Sequence, residues 1–134
     1  MIIDYENTLS DAQEVTASAA STNSIDLRDT TGDFGISDKL FLVLRVDTAA
    51  EASGSATVAF SVQCDDDSAF GSPKTLLTTA AVAKATLVAG YRPLVTKIPQ
   101  GCERYLRVYY TVASGPLTAG KFDAFLTPDV QASY

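Results

Sequence analysis

Histidine and tryptophan are absent from this sequence, and cysteine occurs only twice. Without an imidazole the chain cannot build a Ser-His-Asp or Cys-His centre, and most zinc sites are excluded with them. Two cysteines, Cys64 and Cys102, are too few for a disulfide scaffold or for four-cysteine zinc binding within one chain. Reduced thiols are the default expectation. A bridge stays open, because both residues fall at strand ends in the reading below and sequence does not give the separation of their Cα atoms. Long apolar runs are missing too: the longest clean one, Leu40 to Leu44, is far short of the ~20 residues that span a bilayer. The opening Met-Ile-Ile-Asp-Tyr-Glu has no basic segment followed by an apolar stretch, so no secretory signal and no membrane partner are expected, and the product should be soluble and made in the cytoplasm.

Charge is sparse at 19% of residues, and its balance is acidic, with a formal net charge of −6. Such a field repels phosphate backbones, and no cluster of Lys and Arg forms a basic patch against it, so nucleic acid is not an expected partner. A hydrophobic fraction of 46% over 134 residues allows one folded core and one domain.

The pattern that is present belongs to β-structure. Residues 7–24 are dominated by Ala, Ser, Thr and Asn, with no 3.6-residue apolar stripe, and fit an arm or edge strand better than a helix. Beyond them, short apolar runs alternate with Gly, Pro, Asp and Ser clusters, as strands joined by turns do. Expected strands are Gln13–Ser18, Ser24–Leu27, Leu40–Val46, Thr57–Cys64, Thr75–Thr79, Pro93–Ile98, Tyr105–Val112 and Lys121–Thr127. Leu40–Val46 is near-continuously apolar and suits a position covered on both faces, with Arg45 required to reach solvent or a carboxylate. In Thr57–Cys64, Val58, Phe60, Val62 and Cys64 alternate with Thr57, Ala59, Ser61 and Gln63, so one face meets a core. Ala80–Ala89 is ambiguous between a short helix and a strand. The count predicts an all-β antiparallel jelly-roll β-sandwich of about eight short strands. Residues 1–24 are read as an extended N-terminal arm with the first edge strand, and residues 25–134 as the jelly-roll domain.

Several stretches resemble the Bordetella-phage-type capsid cement, or decoration, proteins of tailed phages. They are Ser10–Thr16, Ala20–Leu27, Phe60–Asp67, Gly101–Tyr110 and Gly120–Leu126, which are spread along most of the chain. The resemblance implies a non-enzymatic structural protein on the outer capsid surface of the virion. It would bridge neighbouring major capsid proteins of the HK97-type fold and associate with itself, as a homodimer in preference to a trimer. It carries over no catalytic, cofactor-binding or metal-binding residue, and no cofactor.

Three features are weighed as sites. Asp65-Asp66-Asp67 could offer carboxylates to calcium or to a basic capsid patch, but three adjacent residues converge poorly on one ion, and a solubilising turn is the simpler reading. Tyr91, Tyr105, Tyr109 and Tyr110 could serve a carbohydrate-binding β-sandwich; adjacent Tyr109 and Tyr110 must face opposite ways, so one belongs to a core. The arm and the carboxy-terminal segment ending in Tyr134 could contact partners, and deletion of residues 1–20 is expected to weaken capsid attachment while leaving the core folded. A minor head or tail virion protein is the remaining alternative.

Overall fold

The computed structural model describes residues 8–26, 41–97 and 104–127. Within them are ten strands: β1 (Thr8–Glu14), β2 (Ala19–Ala20), β3 (Ile25–Asp26), β4 (Phe41–Glu51), β5 (Thr57–Asp65), β6 (Lys74–Thr78), β7 (Val82–Ala83), β8 (Leu94–Lys97), β9 (Tyr105–Ala113) and β10 (Ala119–Thr127). One sheet runs β1-β10-β4-β8; in the other, β2 and β3 pair with β9, β9 with β5, and β5 with β6 and β7. All the pairings are antiparallel. Because β2 and β3 share one partner and β6 and β7 share another, each pair counts as one interrupted strand. The resulting eight strands nest: the first lies beside the last, and the second beside the last but one. That is the return path of a jelly roll.

Alternation in the sequence decides what each strand buries. In β5, Val58, Phe60, Val62 and Cys64 are wholly buried, and they lie opposite Val112, Tyr110, Val108 and Leu106 of β9. From the facing sheet, Leu42, Leu44 and Val46 of β4 and Phe122, Ala124 and Leu126 of β10 join the same cluster. At its centre the Phe60 ring meets Tyr110 edge-on at 5.8 Å and Phe122 at 5.6 Å, while Tyr110 and Phe122 stack at 5.5 Å. Such aromatic pairs add about 0.5–1.5 kcal/mol each beyond the area they bury. β4 is covered on both faces as its composition requires, for Val43 is as deeply buried on the side away from this cluster. Arg45, also on that side, finds Asp123 of β10 at 2.7 Å.

One expectation needs correction, and one open alternative is decided. The first strand is Thr8–Glu14 rather than Gln13–Ser18, and residues 16–18 form a bend. Leu9 and Val15 are fully buried, so two large apolar residues suffice to fix a segment that looked too poor in them. Removing residues 1–20 would therefore strip β1 and β2 from the sandwich along with part of its core. The ambiguous Ala80–Ala89 contains no helix; it holds the two-residue β7 and then a turn whose one buried side chain is Leu87. Of the residues named from sequence, Leu27, Leu40, Ile98, Cys102 and Tyr134 lie outside the described residues.

Candidate interaction surface

β9 sends Leu106, Val108 and Tyr110 into the core, and its alternate residues Tyr105, Arg107 and Tyr109 line the outer face of the six-stranded sheet, half-buried. The register with β5 sets Gln63 opposite Arg107 and Ser61 opposite Tyr109. Arg107 Nε donates to Gln63 Oε1 at 2.8 Å, and its guanidinium lies 4.3 Å from the Phe70 ring centroid and 5.7 Å from that of Tyr109. A further cation, Arg104, sits 5.1 Å from the Tyr105 ring. The result is a stripe of alternating cation and aromatic ring, with the Arg107 guanidinium held in place by its hydrogen bond and by the rings beside it. Tyr and Arg are the side chains that most often carry binding energy at protein interfaces.

The acidic triplet explains how Phe70 reaches this face. Asp65 is buried, and its two carboxylate oxygens accept from the backbone N–H groups of Asp67 at 3.2 Å and Ser72 at 2.9 Å. Asp67 accepts from Ala69 N–H through its side chain and from Phe70 N–H through its carbonyl. These bonds fold residues 65–72 tightly enough to hold Phe70 at φ 52°, a left-handed conformation that bulky residues seldom adopt. The Ser72 N–H keeps the Asp65 carboxyl below its usual pKa, against the opposing effect of burial. Asp65 and Asp67 are thus tied to their own loop, and among the described residues no group of three or more acids, cysteines or histidines converges on a point that could hold a metal.

The four tyrosines separate into three environments. Tyr110 is buried and donates to Ser10 Oγ at 2.9 Å, whereas Tyr105 and Tyr109 share the outer face and Tyr91 lies on the edge of the other sheet. Burial, together with the nearby Asp123 charge, pushes the Tyr110 phenol well above its ordinary pKa despite the Ser10 bond. Arg107 and Phe70 were not singled out by sequence. Arg107 was detectable, since strand alternation places it with Tyr105 and Tyr109; Phe70 was not, because its position depends on a loop conformation.

Cys64, at the end of β5, is disulfide-bonded, which overturns the expectation of reduced thiols; the chain's other cysteine is Cys102. The Arg45–Asp123 pair lies on the outer face of the four-stranded sheet, where Asp123 also accepts from Ala12 N–H at 2.7 Å. This bond lies within a bulge that places Ala12 at φ 46°.

Comparison with known proteins gives one family. Residues 9–126 match the model of Bbp16, a Bordetella phage protein family, from the second residue of β1 to the penultimate residue of β10. No curated protein matches the chain.

Proposed function

Because the chain belongs to the Bbp16 family, we propose that it is a structural cement protein that coats the outer surface of a phage head and bridges neighbouring major capsid proteins of the HK97-type fold. The observation carrying this reading is the extent of the match: it covers the whole sandwich, so the family relationship concerns the entire domain. The mechanism is mechanical rather than enzymatic. Packaged DNA pushes outward, and a rigid module bound across capsomer boundaries adds contacts that must break before subunits separate. Its close-packed two-sheet core, centred on Phe60, Tyr110 and Phe122, supports such a load-transmitting role. The disulfide at Cys64 supports a site of action outside the reducing host cytoplasm in which the protein is made, since disulfides persist on virion surfaces. Self-association as a homodimer belongs to the same proposal.

Quantitative gel densitometry of purified virions, with an image reconstruction of the head, tests it. Hundreds of copies outside the shell at capsomer junctions are expected; absence from heads, or a few copies at one vertex or on the tail, would overturn it. The Tyr105–Arg107–Tyr109 stripe favours one second reading, a carbohydrate-binding module, because aromatic faces stack on sugar rings. Binding of the isolated protein to a glycan array, abolished by Tyr109→Ala, would support that reading.

A further inference from the structure

The charge of this acidic chain is unevenly distributed. From Ser68 to Cys102 there is no Asp or Glu, while Lys74, Lys84, Arg92 and Lys97 supply four of the ten basic residues. The fold gathers the described part of this segment into one lateral wall. β6 and β7 form the edge of the six-stranded sheet beside β5, and β8 forms the edge of the four-stranded sheet beside β4. Between them the chain crosses from one sheet to the other. Lys84 N–H donates to Ala56 O near β5, and Ala50 N–H of β4 donates to Leu87 O, with the buried Leu87 as anchor. Further along, Val46 exchanges two bonds of 2.8 Å with Gly90 and Tyr91.

Apolar exposure gathers on the same wall. Among the described residues the exposed large apolar side chains are Val88 at 52%, Tyr91 at 37% and Val95 at 43%, all within eight positions of sequence. Val95 lies opposite Val43, and Lys97 opposite Phe41, so both point to the outer face of the four-stranded sheet, while Leu94 packs toward the core. Among the described residues β8 pairs with β4 alone. Glu51 of β4 lies toward the Lys84 end of the wall and Asp47 beside the Gly90–Tyr91 contact, whereas neither β8 nor the Phe41–Leu44 stretch that it pairs with carries an acid, which leaves the β8 end basic.

We infer that this wall is the surface that touches the shell, and that it receives an extended acidic segment of a head protein as an added strand beside β8. The inference rests on the head-binding reading above and specifies its partner. Strand addition supplies backbone hydrogen bonds for affinity, and alternate side chains supply selectivity. Cross-strand pairing requires that the incoming strand set an apolar residue beside Val95 and a carboxylate near Lys97 on the same face. A second copy of this chain in the symmetric β8-to-β8 arrangement fits poorly, because it brings the basic wall against itself.

The test is rebinding of purified protein to heads prepared without it, combined with carbodiimide coupling, which joins lysine amines to adjacent carboxylates. Lys97→Glu and Val95→Thr should each retain the wild-type melting temperature, because both sites are on the exposed strand face. Each should weaken rebinding ten-fold or more, while Lys121→Glu on β10 leaves it unchanged. Coupling of Lys97 to a carboxylate of a head protein is the expected product. Unchanged rebinding by Lys97→Glu and Val95→Thr overturns the inference and leaves the head-binding reading standing. Coupling of Lys97 only to acids of another copy of this chain overturns it in favour of a self-contact. Failure of the wild-type protein to bind heads overturns both.

Discussion

The wall built by β1, β2 and β3 and the wall built by β6, β7 and β8 occupy corresponding places at the two sides of the sandwich. Both use side chains in place of ladder bonds, Thr79 Oγ1 accepting from Phe60 N–H on the second as Ser21 Oγ accepts from Val108 N–H on the first, but they differ in the apolar surface they leave exposed. On the first, short polar side chains close the edge. Ser21 Oγ accepts from Val108 N–H and donates to Asn23 O, and Ser18 Oγ accepts from Val112 N–H. Gln13 donates to Ala20 O and accepts from both Ser10 Oγ and Thr22 N–H. The bulge at Ala12, fixed by Asp123, adds a twist. Polar side chains and bulges of this kind stop a sheet edge from recruiting another strand. On the second wall Leu87 is the one buried large side chain, and Val88, Tyr91 and Val95 stand in solvent. One edge has been closed by the chain itself, and the other keeps the features of a surface that is closed by a partner.

Substitutions on the two walls should therefore differ most in stability. Leu9→Ala, on the closed wall, empties a fully buried position and is expected to lower unfolding free energy by about 2–5 kcal/mol in urea titration. A loss below about 1 kcal/mol would mean that β1 is peripheral to the core. Reduction of the disulfide at Cys64, whose neighbour across the ladder is Lys74 of the open wall, should cost about 2–4 kcal/mol, read as a drop in melting temperature with dithiothreitol. Equal melting with and without reductant would show that the bond adds nothing to the stability of the sandwich.

Ser10→Ala leaves the buried Tyr110 hydroxyl without its acceptor and is expected to destabilise by about 1–3 kcal/mol. Adding Tyr110→Phe should recover part of that loss, since both partners are then gone. Tyr110 also predicts an alkaline limit. Its native pKa lies above the ordinary phenol value of 10.0, so the folded state holds a proton that the unfolded state releases. The associated stability is complete below pH 10.0 and declines as pH rises above it. Denaturation at a series of alkaline pH values should show this decline, with a shallower slope in Tyr110→Phe. The smallest effect belongs to the open wall: Val88→Ser should change stability by no more than about 0.5 kcal/mol. A large loss there would mean that this wall is structural and would remove the contrast between the two sides.

The strands of the core were readable because their burial is local to each strand. The period-two pattern of Val58, Phe60, Val62 and Cys64 specifies a buried face whatever lies opposite, and the near-continuous apolar run of β4 specifies burial on both sides. The separation of Tyr109 from Tyr110 follows from the same alternation, and Arg45 reached the carboxylate that its position in that run demanded. The amino-terminal edge was less readable. Its Ser, Thr, Asn and Gln resemble the composition of a solvated arm, yet Ser10, Gln13, Ser18 and Ser21 act as substitutes for ladder bonds, and their partners are up to 100 positions away. Composition records how polar a side chain is, and only the folded chain shows what it bonds to.

By itself the sequence determined the β class, the approximate strand count, the core-facing residues of the central strands and the acidic balance of the molecule, because each depends on nearest neighbours or on a sum over residues. Tertiary structure alone decided the nested strand order, the turning of Phe70 onto Arg107, the disulfide at Cys64 and the division into a closed wall and an open one. Those features are contacts between distant parts of the chain. Local pattern leaves them undetermined, because the same alternating strands can be arranged in many orders, and only packing around one shared core selects among them.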